Sequence, residues 1–172
     1  GLAMSYFEAG KFNDAKRMLS SLITDDRNNL FYADLMTDVH IKLEEFKAAE
    51  SMLSRLYRLM PNNQVVTLNY ANAAMEGGNF DLALNLLQDF LIVQPKHFLA
   101  HDLLASVFKK QNDKAKFHST KAEVYALVGN FNKAIDELQT GYKFSEDNPL
   151  LQKRIKARIS QLRQSEAQMK RL

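Results

Sequence analysis

Aromatic, small and turn-forming residues recur in this chain at an interval of 34 residues. Phe12, Phe46 and Phe80 keep that spacing, as do Ala15, Ala49 and Ala83. Pro61 and Pro95 repeat it, and so do the pairs Asn28-Asn29 and Asn62-Asn63. A unit this short cannot enclose a core of its own. It must bury its apolar face against the next unit, so the period implies a stack of supersecondary units. Within each period the apolar residues fall at helical spacing over two stretches separated by a turn. Each unit therefore reads as two antiparallel helices, A then B.

In the repeat 30–63, helix A is expected over Leu30–Leu43 and helix B over Glu45–Leu59. Met36, Thr37 and His40 are its packing positions in A, and Phe46, Ala49, Leu53 and Leu56 those in B. Thr37 and Ala49 are small where the two helices must cross closely. Pro61 ends helix B because it has no N–H to donate. In the repeat 64–97, helix A runs over Gln64–Glu76 and stops at Gly77-Gly78. Tyr70, Ala71, Ala74, Phe80, Ala83, Leu87 and Phe90 pack it. Residues 1–29 form a partial unit carrying Tyr6, Gly10, Phe12, Ala15, Leu19 and Leu22, with Arg27 in place of the terminal Pro. Leu2 and Ala3 occupy the seventh and eighth positions of that unit, so the chain reads as a piece of a longer protein.

After Pro95 the period slips. Phe131 follows Phe80 by 51 residues, one period and a half. Residues 98–128 then read as irregular helices, Phe98–Gln111 and Lys114–Val128. The second is expected to act as helix B of one unit and helix A of the next, giving a last hairpin over 115–145. Residues 149–172 read as a long capping helix with an apolar stripe of Leu151, Ile155, Ile159, Leu162 and Met169. Its other faces are basic: Lys153, Arg154, Lys156, Arg158, Arg163, Lys170 and Arg171 against Glu166 alone. Residues 153–172 thus carry +6 of a net charge of +3, leaving −3 for residues 1–152. A solvated cap and a basic docking surface are both open readings of this segment.

Motifs for chemistry are missing from the sequence. With no Cys, disulfides and thiolate metal sites are excluded. No apolar stretch approaches the roughly 18 residues of a membrane helix. His97 and His101 stand four apart on one helix, but Phe98 occupies the place where a zinc-protease motif needs Glu. They read as two surface histidines, since zinc takes three or four ligands. No cofactor is expected, and this chain is not expected to be an enzyme.

The aromatic, the Ala three residues on and the closing Pro resemble the tetratricopeptide repeat. That resemblance implies an all-α fold, a right-handed superhelical solenoid of helix hairpins with a C-terminal capping helix. It also implies a single domain over 1–172 and a protein-binding role. In such stacks the A helices line a concave groove. Here the groove positions are Phe31, Asp34, Asp38, Ile41 and Lys42, then Val65, Leu68, Asn72, Met75 and Glu76, then Leu99, Asp102, Ser106, Lys109 and Lys110. Chaperone-binding members clamp a C-terminal carboxylate with Lys and Asn at two of these positions. Asp34, Leu68 and Asp102 stand where that Lys belongs, which argues against such a clamp. Phe31, Leu68, Val65, Leu99, Ile41 and Met75 instead form an apolar strip suited to an extended or helical segment. Asn72 can bond its backbone.

Longer stretches carry a narrower resemblance. Among them are Asn29–Asp38, Leu68–Ala73, Asp102–Ala105, Ala122–Ile135 and Ala157–Gln164. They resemble the C-terminal tetratricopeptide region of the bacterial beta-barrel assembly-enhancing protease family, periplasmic zinc metalloproteases of Gram-negative bacteria. The resemblance implies a periplasmic location and a role in outer-membrane protein quality control. It implies protein partners: the outer-membrane barrel assembly machinery, unfolded or stalled barrel proteins, and the protein's own protease domain. No nucleic acid and no transmembrane segment are implied. The His-Glu-x-x-His motif of that family is not in these residues. A stand-alone scaffold or adaptor in envelope biogenesis is the alternative.

Overall fold

The computed structural model describes residues 1–169, which form ten α-helices and no strand among the described residues. In order these are α1 (Leu2–Glu8), α2 (Phe12–Asp25), α3 (Leu30–Lys42), α4 (Phe46–Leu59) and α5 (Gln64–Glu76). Then follow α6 (Phe80–Val93), α7 (Phe98–Lys110), α8 (Lys114–Leu127), α9 (Phe131–Lys143) and α10 (Pro149–Met169). Two compact units divide the chain, Gly1–Phe90 and the part from Leu91 onward.

Turn chemistry explains where the helices stop. At each A-to-B turn one residue has positive φ: Gly10, Glu44, Gly78 and Asn112, each 34 after the last, and then Gly129 after only 17. The half-period slip is therefore visible in the backbone itself. Every one of these turns closes with the same pair of bonds. At the first, the Lys11 amide donates to the Tyr6 carbonyl and the Gly10 amide to that of Phe7, both at 2.9 Å. This two-bond closure satisfies carbonyls that the helix end would leave orphaned. Glu44 is the poorest residue at such a turn, because its Cβ crowds the left-handed backbone. Glu44→Gly is expected to stabilise the first unit by about 1 kcal/mol, read from urea midpoints. An unchanged or lower midpoint would remove strain at this turn as a factor.

The B-to-A turns are closed by side-chain caps at the same period. Asn29 Oδ1 accepts from the Phe31 and Tyr32 amides, and Asn63 Oδ1 from the Val66 amide. His97 stands at the next equivalent position, and its Nδ1 accepts from the Ala100 amide at 3.2 Å. His101 Nε2 lies 2.8 Å from the Pro95 carbonyl oxygen. The histidine pair of the sequence is thus engaged in building a helix start.

In the first unit the small residues sit at the crossings: Ala15, Thr37, Ala49 and Ala83 are fully buried. Leu19, Leu53, Leu56 and Leu87 fill the space between helices. Thr37 satisfies its hydroxyl within its own helix, donating to the Ala33 carbonyl at 2.7 Å. Glu45, the cap residue of α4, ties three segments together. It accepts from Lys16 Nζ of α2 at 2.7 Å and lies 2.7 Å from Nδ1 of the buried His40. The Lys16 bond first, and the His40 bond second, hold the Glu45 carboxyl below its ordinary value of 4.5. A lowered folded pKa stabilises above the unfolded value and is lost as pH falls through the folded one. The stability advantage of the native chain over Glu45→Gln is therefore expected to be full above about pH 5 and to fade below about pH 4. A pH-independent difference in urea titrations would dismiss this network.

In the second unit α8 packs against both α7 and α9, and α10 packs on α9. Ala122, Ala134, Ile135, Leu138, Ile155 and Leu162 form its core. Gly141 lets α9 approach α8: a Cβ there would meet Ser119 Oγ at 3.0 Å and the Ala115 carbonyl oxygen at 3.1 Å. On α10, Ile155 and Leu162 are buried and Leu151 and Ile159 half-buried, while Met169 is exposed and departs from the expected stripe. Arg158 is drawn into the fold by a two-pronged ion pair with Glu123, at 2.8 and 2.6 Å. Lys170 and Arg171 of the expected basic face lie outside the described residues.

Candidate protein-docking face

Two A helices of the first unit, α3 and α5, start alike, and their starts decide what they expose. Each asparagine cap fixes the first turn, and the second residue after the cap then points outward. These residues are Phe31 on α3 and Val65 on α5, with 59% and 39% of their surface exposed. Leu99, at the same position of α7 in the second unit, is 56% exposed. On α3 and α5, within the first unit, Phe31 and Val65 therefore leave apolar surface uncovered at the same repeat position. Phe31 is supported by an edge-on contact with Tyr32, centroids 6.1 Å apart. An apolar cavity of about 510 Å³ opens beside it, lined by Leu2, Met4, Met18, Leu22 and Leu35 among others.

Behind this apolar edge the face is polar. Asp34 Oδ1 accepts from Asn69 Nδ2 at 2.6 Å and so joins α3 to α5. Asp38 stands one turn further along α3. Burial, and then the neighbouring Asp34 charge, raise the Asp38 carboxyl above its ordinary value, with Lys42 opposing. Two carboxylates one turn apart make this part of the face receptive to cations.

The sequence-selected residues divide under this geometry. Phe31, Asp34, Asp38 and Val65 are exposed; Ile41, Leu68 and Asn72 are half-buried. Met75 is only 5% exposed and belongs to the packing of its helix, so it offers no surface. On α7, Leu99 and Lys109 are exposed. Asp102 accepts from Lys121 Nζ of α8 at 2.9 Å, and the Ser106 hydroxyl donates to the Asp102 backbone carbonyl. The Asp102 charge is thus matched inside the unit. Sequence reasoning missed Asn69. Its only signal was an amide 35 residues after Asp34, one period and one residue.

Among the described residues, no three His, Asp or Glu side chains converge as a metal-binding group. No described helix is long and apolar enough to cross a membrane.

Family models for the tetratricopeptide repeat match residues 1–29 and 40–107. The chain is 32% identical to the beta-barrel assembly-enhancing protease of Escherichia coli K12 over 99% of its own length and 35% of that protein's. It is 30% identical to the Yersinia pestis protein of the same name, over 95% of this chain and 34% of the relative. The chain spans about a third of the length of the curated relatives it matches. Among solved structures, MamA overlays with a TM-score of 0.65 at 14% identity, covering 100% of this chain and 98% of MamA. A thermophilic tetratricopeptide protein of Thermus thermophilus overlays at 0.56 and 15% identity, covering 91% and 94%. At such identities these two establish the fold alone.

Proposed function

We propose that this chain, the tetratricopeptide region of the beta-barrel assembly-enhancing protease family, is the protein-interaction module of a periplasmic protease of that kind. Its partners on this reading are the outer-membrane barrel assembly machinery and stalled or misassembled barrel proteins. Proteolysis belongs to a domain outside these residues.

One observation carries the reading. Phe31 and Val65 stand exposed at the same repeat position, on neighbouring helices joined by the Asp34–Asn69 bond. That arrangement offers two apolar anchor points backed by an acidic, hydrogen-bonding floor. A segment with spaced apolar side chains and a cationic residue fits it. Aromatic anchors such as Phe31 carry a disproportionate share of interface energy.

The test is photo-crosslinking in cells from probes at positions 31, 65 and 68. Adducts to barrel-assembly proteins or to barrel substrates are expected. Phe31→Asp is expected to weaken capture at least about tenfold, an interface loss of about 1.4 kcal/mol, with an unchanged melting temperature. Absence of adducts from all three positions would reject this face as the docking site.

A further inference from the structure

The turn between α7 and α8 is followed by a lysine where the equivalent turns are followed by phenylalanine. Phe12, Phe46 and Phe80 each begin a B helix and lie half-buried against it. The Phe46 Cβ sits close enough to Gly77 to forbid a side chain there. The next position in the period is Lys114, at the start of α8. A cavity of about 360 Å³ opens beside Lys114.

Its walls are aromatic and its rim is basic. Phe108, Phe117, His118 and Phe144 line it, together with Lys109 and Lys114. Phe144 is 50% exposed. It is held in place by the His118 ring, stacked at 5.8 Å with a 10° tilt. His118 is itself fixed by Glu137, 2.7 Å from its Nδ1. The acids nearby already have hydrogen-bond partners. Asp113 caps the Lys116 amide and pairs with the Lys116 ammonium at 2.9 Å, and Glu137 faces His118. Lys114 lies 5.2 Å from the Phe144 ring centroid, and no ion pair to an acid occupies it or Lys109 among the described residues. The pocket therefore combines ring-lined space with an excess of positive charge.

We propose that this pocket takes an aromatic side chain from an acidic segment of a partner protein. The incoming ring packs on the exposed Phe144, as aromatic pairs do. Carboxylates flanking it meet the exposed Lys109 and Lys114 at the rim in charge-assisted hydrogen bonds. The volume lies in the range of side-chain and small-ligand pockets. The site lies wholly in the second unit and does not depend on the face formed by α3 and α5.

The probe is a short fluorescent peptide with one Phe between Asp residues in a Gly-Ser background, titrated by anisotropy into the full chain. Saturable binding is expected. It should weaken at least about tenfold, roughly one strong interface side chain, when the peptide Phe becomes Ala or its Asp residues become Asn. The same loss is expected from Phe144→Ala and from Lys114→Phe. Lys114→Phe restores the periodic phenylalanine, so the melting temperature should not fall, which separates loss of the pocket from loss of folding. Phe31→Asp should leave this binding unchanged. The proposal is overturned if the peptide does not bind, if binding survives Lys114→Phe, or if peptides without Phe bind equally well. Self-association of the chain that Lys114→Phe abolishes, without peptide binding, would assign the pocket to a second copy and equally overturn it.

Discussion

Leu138→Ala is expected to destabilise the second unit by about 3 kcal/mol. Leu138 lies on α9, 2% exposed, where three helices meet. Its neighbours Ala122 and Ala134 are too short to follow a retreating side chain. Ile155 and Leu162 are held by the packing of α10 on α9. The cavity would therefore stay largely open, and a cavity that cannot collapse adds its own cost to the lost transfer energy. Leu150→Ala, on an exposed side chain of α10, is expected to change stability by less than about 0.5 kcal/mol. Urea titrations followed by helical signal would measure both. A Leu138→Ala loss no larger than that of Leu150→Ala would mean that α10 is not docked as described.

Gly77→Ala is expected to destabilise the first unit by about 2 kcal/mol, against the direction local propensity predicts. Gly77 has ordinary helical dihedrals, and Ala is better than Gly in a helix by about 1 kcal/mol. A Cβ at this position, however, would lie 2.8 Å from the Phe46 Cβ and 3.3 Å from its Cγ. Phe46 cannot turn aside, because a Cβ moves only with its backbone, here the first turn of α4. The adjacent Gly78 is the reverse case. Its φ is +80° and a Cβ would meet nothing within 4 Å. Gly78→Ala is therefore a backbone cost alone, about 1 kcal/mol. If Gly77→Ala raised the denaturation midpoint, the close approach at this turn would be disproved.

This glycine pair shows how much was legible. As sequence, Gly77-Gly78 reads as one helix stop. In the fold one glycine serves the turn and the other serves a neighbouring helix. Helix A of the repeat 64–97 was legible to the residue, and the four helices expected over 30–59 and 98–128 to within one residue at each end. The positive φ of Glu44 and Asn112 was readable in principle, from their place one period after Gly10 and one before or after Gly78. The side chain of Glu44 by itself gives no turn signal. His97 likewise stands one period after the caps Asn29 and Asn63, but imidazole seldom caps and the pair with His101 drew attention to metal chemistry. The exposure of Phe31 and Val65 followed from position alone, whereas the burial of Met75 and the pairing of Asp102 did not. Met75 turns into the core, and Asp102 is matched by Lys121, a residue on the following helix.

The sequence by itself determined the repeat unit, its helix pairs, its turns and the half-period slip. All of these rest on interactions within a few residues, or on small side chains placed at a constant spacing, so they are written at fixed distances along the chain. The tertiary structure alone decided which polar groups are matched and which space is filled. Lys16 with Glu45, Asp34 with Asn69 and Arg158 with Glu123 are separated by 29, 35 and 35 residues, none of them the 34-residue period. Their pairing depends on how each helix is rotated in its packing. The same holds for the pocket at Lys114. Its sequence sign is only a missing phenylalanine, and its walls come from Phe108, Phe117 and Phe144 on or beside three different helices.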